Sequence, residues 1–282
     1  MRPLKTLLRL CLWPLVAGIL LQLFFVARIG LMAVIDPQST AFQRSEIARL
    51  ALSGNLTWSQ SWVPYNQISD HLKRAVIASE DGNFLDHDGI DWQAIESAKN
   101  RNATAAARAE KQQQRAEKQQ QLAQERAQRR IERLQKQGKP ISEALQAAAS
   151  GASAPAPVQA KVVGASTISQ QLAKNLLLSG ERTMLRKGQE LLLTQYLEHL
   201  LGKRRILEIY LNNVEWGEGI FGAQAAAQHY FRKPAAQLTA LEAARLAVML
   251  PRPKYHEQYP NSGYLASRSR TIAARMRGVE IP

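Results

Sequence analysis

The longest apolar run of the chain lies near its N-terminus, from Leu10 to Ala27. It reads LCLWPLVAGILLQLFFVA, with Gln22 as its only strongly polar side chain. A helix of this length can cross about 30 Å of hydrocarbon. A cleaved signal peptide has a similar pattern, but its core is shorter and a small-residue cleavage site follows it. No convincing site of that kind follows here, so we predict an uncleaved transmembrane anchor over residues 10–35.

A basic flank at residues 1–9 sets the predicted orientation of this anchor. Three positive charges precede the apolar run: Arg2, Lys5 and Arg9. Positively charged flanks remain on the cytoplasmic side of a membrane. The N-terminus is therefore predicted to be cytoplasmic, and everything after about residue 36 to lie on the other side.

A second break in the pattern covers residues 99–161. Ala, Gln, Arg, Lys and Glu dominate it before small residues with Pro follow, and between Ala103 and Gln121 no apolar residue is larger than Ala. Such residues favour helix but offer no stripe that could enter a core. We predict a basic, low-complexity insertion that forms a solvated, marginal helix followed by a flexible hinge.

The remaining residues, 36–98 and 162–282, amount to 184 residues, the size of one compact domain. Thr167 with Gln170, and Thr239 with Glu242, are spaced as capping boxes at the start of runs with helical apolar periodicity. Strand-like alternation is scarce. The pattern therefore predicts a mainly α domain.

Charge narrows the possible partners. The 282 residues include 37 Lys and Arg against 23 Asp and Glu, a net charge of +14, with a single Cys that excludes a disulfide scaffold. Such an excess favours a polyanionic partner, whether nucleic acid, an anionic membrane or a phosphorylated substrate. Residues 99–161 alone contribute +8, yet they contain no aromatic side chain and are predicted to lie outside the cytoplasm. We therefore expect no nucleic acid partner.

Candidate chemistry begins at Glu80, in the run ASEDGNFLDHDGIDW. A helix is predicted over residues 69–78, and it places Glu80 at the end of a rigid element, where a catalytic carboxylate can be held. An acidic, solvated loop is the other interpretation of this run.

The next helical run, GASTISQQLAKNLLL, pairs a buried stripe with a polar face. Apolar residues recur at i, i+4 and i+8 on one face. Polar residues lie on a second face and beside the helix N-terminus. The candidate donors there are Ser166, Gln171, Lys174 and Asn175. Donors at such a place suit phosphate oxygens, although an amphipathic surface helix has the same pattern.

A third group follows in ERTMLRKGQE, which supplies Arg182, Lys187 and Glu190. On a helix, Lys187 and Glu190 are neighbours at i, i+3. A surface ion pair is therefore the simpler interpretation of these two residues.

These runs together resemble a known family. EDGNFLDHDGID, GASTISQQLAKN, RKGQE, KRRILEIYLNN and EWGEGIFGAQAAAQHYF occur in the order of the five motifs of the family 51 peptidoglycan glycosyltransferases. The resemblance is closest to the monofunctional biosynthetic transglycosylases of that family. It covers nearly all of the 184 residues.

The resemblance implies a lysozyme-like, mainly α domain on the periplasmic face of the bacterial inner membrane. Its activity would be the polymerisation of lipid II into glycan strands, with inversion at the anomeric carbon and release of undecaprenyl diphosphate. Glu80 resembles the general base for the acceptor hydroxyl. The residues that resemble the diphosphate site are Ser166, Gln171, Lys174, Asn175, Arg182, Lys187 and Glu190.

Glu190 would either orient Lys187 or bind a divalent cation, so no cofactor is firmly expected and Mg or Mn at the diphosphate is the alternative. The expected partners are lipid II, the growing glycan strand and the membrane, with cell-wall synthesis proteins as further candidates. For residues 99–161, a tolerated surface insertion and adhesion to anionic lipid or to a wall partner both stay open.

Two other classes compete with glycan synthesis. A lysozyme-like peptidoglycan hydrolase would share the fold and a catalytic Glu, but would have no need of a basic diphosphate site. A membrane-tethered binding protein would need neither a catalytic Glu nor a basic diphosphate site.

Overall fold

The computed structural model describes residues 2–54, 56–151, 156–160, 162–178 and 183–282, with side chains from residue 12 onwards. It confirms a mainly α fold. The chain divides into two compact units. The first unit joins Met1–Asp91 to Ser166–Pro282, and the second is Trp92–Ala165.

The described helices are, in chain order, α1 Arg2–Leu31, α2 Ala41–Leu52, α3 Asp70–Glu80, α4 Trp92–Lys136, α5 Glu143–Ser150, α6 Ile168–Leu177, α7 Met184–Asn213, α8 Ala223–Phe231, α9 Ala240–Met249, α10 Pro253–Gln258 and α11 Gly263–Arg275. Three short strands accompany them: β1 Ser59–Gln60, β2 Glu215–Gly217 and β3 Ile220–Phe221. Short 3-10 turns lie at Tyr65–Gln67, Ala235–Gln237 and Met276–Gly278. Only α4 and α5 belong to the second unit.

The core of the first unit is built from α3, α6, α7 and α9. In α6 the predicted stripe of Ile168, Leu172 and Leu176 is fully buried, so the polar face of this helix is free to line a cleft. Both predicted capping boxes are present, at Thr167 and at Thr239, and they fix where α6 and α9 begin.

A small sheet braces one side of this core. Its strand order is β1-β3-β2, with β1 parallel and β2 antiparallel to β3. The β2–β3 turn passes so close to the backbone that a Cβ on Gly219 would lie 2.0 Å from the Thr57 carbonyl oxygen. With a φ of 72° as well, this position requires glycine. Trp216 in β2 is fully buried and donates to the Leu246 carbonyl oxygen at 3.0 Å.

Among the described residues, one helix is long and apolar enough to cross a membrane. Leu12–Leu31 spans 20 residues of α1 with a mean hydropathy of 2.0. Helix α7 consists of two helical segments that meet at a kink. At this kink Gly202 has a φ of 70°, which interrupts the helical backbone.

The second unit differs in part from its prediction. Where a marginal helix was predicted, α4 runs unbroken for 45 residues, because its Ala, Gln, Glu, Lys and Arg favour helix and no Gly or Pro interrupts them. Asn102 pairs with the Val163 backbone through two hydrogen bonds of 2.8 and 3.0 Å, which ties the returning chain to α4. Residues 152–155 of the predicted hinge lie outside the described residues.

Candidate active site

Glu80 is the last residue of α3, a helix fixed in the core by buried Leu72, Val76 and Ile77. Its Oε2 atom accepts a hydrogen bond of 3.0 Å from Gln171 Nε2. Gln171 Oε1 in turn accepts one of 2.9 Å from the hydroxyl of Tyr210, which is buried. The chain Tyr210–Gln171–Glu80 therefore holds the carboxylate in one orientation.

The environment of Glu80 makes its carboxylate more basic. Burial raises the pKa of the Glu80 carboxyl above its usual range, the hydrogen bond from Gln171 opposes that rise, and the charge of Asp81 adds to it. A carboxylate with a raised pKa is a better proton acceptor near neutral pH. The Glu80 side chain is only partly covered, so a ligand hydroxyl can reach its carboxylate.

The loop after Glu80 is fixed by Asp81 and His87. The Gly89 amide donates to His87 Nδ1 at 3.1 Å, so Nε2 is the protonated nitrogen and donates to Asp81 Oδ1 at 2.9 Å. Asp81 Oδ2 accepts from the backbone amide of Ile168 at 3.0 Å, at the first turn of α6. This network joins the end of α3 to the start of α6 and so fixes Glu80 relative to Gln171.

Asp81, His87 and Asp91 also form a group whose ligand atoms lie within 4.8 Å of one another, a spacing that a metal ion could use. However, both oxygens of Asp81 and both nitrogens of His87 are already engaged in hydrogen bonds. A cation here would have to break the link between α3 and α6. The group therefore fits a structural network better than a metal site.

The polar face of α6 lines a cleft of about 520 Å³. Gln171, Lys174 and Asn175 are the α6 residues with polar side chains in its wall, and Arg186 of α7 adds a second cation. The other lining residues are Phe42, Ser45, Leu178, Val214, Glu215, Leu250 and Pro253. With two cations and two amides, this cleft can hold an anion beside Glu80's partner, Gln171.

Glu190 is a buried carboxylate, 3% exposed, between two cations of its own helix. Lys187 Nζ contacts Glu190 Oε1, and Arg186 Nη1 lies 3.7 Å from Glu190 Oε2. Arg186 Nε is buried and has no hydrogen-bond partner among the described residues. Lys187 remains half-exposed. Glu190 thus orients Arg186 and Lys187. N–H groups on both side chains remain that could donate hydrogen bonds to an anion.

A second carboxyl lies in the cleft wall, at Glu215 of β2. It is 8% exposed, and its Oε1 atom lies 3.3 Å from Lys254 Nζ without satisfying a hydrogen bond. Lys254 makes its shorter contact, 2.5 Å, with Glu46. Burial raises the pKa of Glu215 to about 7, the charge of Lys254 opposes the rise, and that of Glu46 adds to it.

The structure brings most of the predicted site residues near one another. Gln171 contacts Glu80 and shares the cleft with Lys174 and Asn175, while Lys187 and Glu190 form their ion pair on α7. Ser166 is exposed just before α6, and its carbonyl oxygen lies 3.5 Å from Gln171 Nε2. Arg182 lies outside the described residues.

Two charged residues of the cleft, Arg186 and Glu215, are missing from the predicted set. Arg186 had a usable signal, because it lies at i, i+4 from Glu190 and could have been recognised as a second partner. Glu215 gave no such signal. Its burial depends on β2 packing beside α10, which local sequence does not show.

Comparison with known proteins finds a matching family model and several similar chains. The family model described as Transglycosylase matches residues 49–150 and 138–277. A biosynthetic peptidoglycan transglycosylase of Bordetella pertussis is 44% identical over 266 residues, covering 94% of this chain and 90% of its own length. One from Janthinobacterium sp. (strain Marseille) is 41% identical over 283 residues, covering 99% of this chain and 100% of its own length. A third, from Paraburkholderia xenovorans, is 41% identical over 268 residues, covering 95% and 90%.

Proposed function

Because this chain belongs to the transglycosylase family and is a peptidoglycan glycosyltransferase with a lysozyme-like fold, we propose that its substrate is lipid II. In this proposal it joins lipid II units into a glycan strand, inverts the anomeric carbon and releases undecaprenyl diphosphate. The observation that carries the proposal is the Tyr210–Gln171–Glu80 chain beside a cleft lined by Lys174 and Arg186.

Glu80 is the proposed general base. Its carboxylate removes the proton from the acceptor sugar's 4-hydroxyl as that oxygen bonds to the donor's anomeric carbon, and the bond from this carbon to the diphosphate oxygen breaks. The orientation set by Gln171 and the pKa raised by burial both support this role. Attack from the face opposite the diphosphate converts an α-linkage to β.

The cations of the site are proposed to hold the donor's diphosphate. A glycosidase has to protonate a poor alkoxide leaving group and uses a second carboxyl for this, whereas a lipid diphosphate is already stable as an anion. Lys and Arg can stabilise its developing charge without transferring a proton. The proposed contacts are Ser166, Gln171, Lys174, Asn175, Arg182, Arg186 and Lys187.

Glu190 is proposed to act through these cations. Its buried carboxylate contacts Lys187 and lies near Arg186, which supports a role in fixing both side chains toward the donor. A divalent cation such as Mg²⁺ or Mn²⁺, if bound at the diphosphate, would supply further charge neutralisation there.

The proposed location is the bacterial inner membrane. Leu12–Leu31 supports a single membrane span. The basic flank of residues 1–9 supports a cytoplasmic N-terminus, with the chain after about residue 36 in the periplasm. Residues 99–161 are proposed to be an insertion within the catalytic domain.

Polymerisation of labelled lipid II by the full-length protein in vesicles tests the proposal. Glu80→Gln should lose at least about 10²-fold in rate while it still binds lipid II, since a general base contributes roughly 10²- to 10⁴-fold. The matched control is Glu280→Gln, the same change at an exposed residue, which should polymerise normally. Near-normal synthesis by Glu80→Gln would refute the assignment. Fragments released from finished glycan, with no polymer from lipid II, would instead favour hydrolysis.

A further inference from the structure

Two glutamine side chains join the N-terminal helix α1 to the start of α7. Gln22 Nε2 donates to Gln189 Oε1 at 2.9 Å, and Gln189 Nε2 donates to Gln22 Oε1 at 3.2 Å. The pair is part-buried and links residues that are 167 positions apart. It connects the one strongly polar side chain of the apolar run to α7.

An apolar seam continues from this pair along α1. Gln22, Phe25, Ile29 and Met32 recur at intervals of three and four, so they share one helix face. Ile29 and Met32 are buried and Phe25 packs against the core. Arg205 of α7 closes the seam, donating to the Met32 carbonyl oxygen at 2.8 Å and to Asp36 at 2.7 Å. The second half of α1 is thus packed onto the first unit.

The first half of the span makes no such contact. Residues 12–21 are all exposed, and ten helical residues extend only about 15 Å. That is about half of a hydrocarbon core of roughly 30 Å, so the packed half must also lie in lipid if α1 crosses the membrane. With Leu10 and Cys11, which also belong to the predicted anchor, about 18 Å of helix precede Gln22. Gln22 would then lie in the periplasmic half of the span with Gln189 beside it, so the start of α7 enters the outer leaflet while the rest of the first unit stays in the periplasm.

The surface of α7 around Gln189 fits this depth. Leu185 and Leu192 lie at i−4 and i+3 from Gln189, on the same face, and they are 88% and 47% exposed. Exposed leucines are unfavourable in water but are ordinary where they meet hydrocarbon. An amide in hydrocarbon is costly unless it is hydrogen-bonded, so each glutamine there needs the other as its partner.

We propose that Gln22 and Gln189 form an intramembrane clasp that fixes the anchor helix to the start of α7. Gln189 directly precedes Glu190 and lies two residues after Lys187, so the clasp holds the turn that carries this ion pair. Gln22 and Gln189 are positioning residues for the donor site. The inference rests on the proposed membrane span and the proposed diphosphate contacts.

Spin-label distances in vesicles test the clasp without relying on activity. Labels are placed at Trp13→Cys and Leu52→Cys, two exposed positions, in a Cys11→Ser background. The distance distribution should be narrow in the parent and broad in Gln22→Leu and in Gln189→Leu, because each leaves one amide unpaired. Gln22→Leu with Gln189→Leu should be narrow again, since two leucines pack without an unpaired amide.

A relocated glutamine is the matched control. Gln22→Leu combined with Leu23→Gln keeps the composition of the span but turns the amide about 100° around the helix. Its distance distribution should be as broad as that of Gln22→Leu. A narrow distribution in Gln22→Leu, or a double-leucine variant as broad as either single variant, would overturn the clasp.

Lipid II polymerisation then tests the positioning role. Each single variant should lose about 3- to 30-fold in kcat/KM, the range expected from intramembrane amide pairs, and the double-leucine variant should regain most of it. Equal kcat/KM in all variants would overturn the positioning role while the distances still report on the clasp. Absence of polymerisation by the parent protein would refute the proposed function instead.

Discussion

Replacing Glu215 with Gln should make the protein more stable than the wild type at alkaline pH. The carboxyl is 8% exposed, and burial is the main reason that its pKa rises to about 7. Glutamine has the same shape and carries no charge to desolvate. Lys254 keeps its 2.5 Å contact with Glu46, so the substitution leaves no cation without a partner.

The size of the effect follows from the difference between the folded and unfolded pKa values. The folded protein holds the Glu215 proton more tightly than the unfolded chain, whose carboxyl titrates near 4.5. Its contribution to the free energy of unfolding therefore falls as pH rises from about 4.5 to about 7, and is constant above that. The full shift corresponds to about 3 kcal/mol, or about 6 to 12 °C in Tm for a chain of this size.

Thermal unfolding of the detergent-solubilised protein at pH 5 and pH 8 measures this difference. The Tm of Glu215→Gln should lie close to that of the wild type at pH 5 and clearly above it at pH 8. Glu280→Gln is the matched control, because it makes the same change at an exposed residue. A Glu215→Gln shift that is the same at both pH values would refute the reasoning.

Three further changes have expected outcomes. Lys187→Ala should lower kcat/KM for lipid II by about 10-fold or more, because a charge-assisted contact to the diphosphate is lost; unchanged turnover would remove it from the site. Deletion of residues 103–157 should leave vesicle association and processivity unchanged if the segment is a tolerated insertion, whereas weaker vesicle association would support adhesion. Gly89→Ala should lower the free energy of unfolding by about 1–3 kcal/mol in denaturant titration, because its φ is 84° and a Cβ would lie 2.6 Å from Thr194 Cγ2. Gly82→Ala, with open space around it, is the control.

The helical architecture was predictable because its signals are local. Thr167 and Gln170 lie three residues apart and cap α6, and the buried stripe from Ile168 to Leu176 repeats every four residues. The extent of α4 was not predicted, since propensity alone gave only a marginal helix. The contacts of Asn102 with Val163 join residues 61 positions apart, and no periodicity in the sequence reports them.

The candidate site divides in the same way. Lys187 and Glu190 could be paired from their spacing, and the face that carries Gln171 and Lys174 could be drawn from the helical repeat. The hydrogen bonds that hold Glu80 could not be, since Gln171 is 91 residues away and Tyr210 a further 39. Residues far apart in sequence meet only after α3, α6 and α7 have packed.

Glu80 and Glu215 together should give the polymerisation rate a bell-shaped dependence on pH. Glu80 has to be ionised to accept a proton, so the rate should rise with pH through its raised pKa. Glu215 lines the cleft with Lys174 and Arg186, and its ionisation near pH 7 adds a negative charge where the diphosphate is proposed to bind. The rate at low lipid II concentration should therefore fall above about pH 7. In Glu215→Gln the alkaline fall should disappear while the acid rise remains, because only the charge of Glu215 has been removed. If the variant retains the alkaline fall, Glu215 does not control donor binding and another group titrates there.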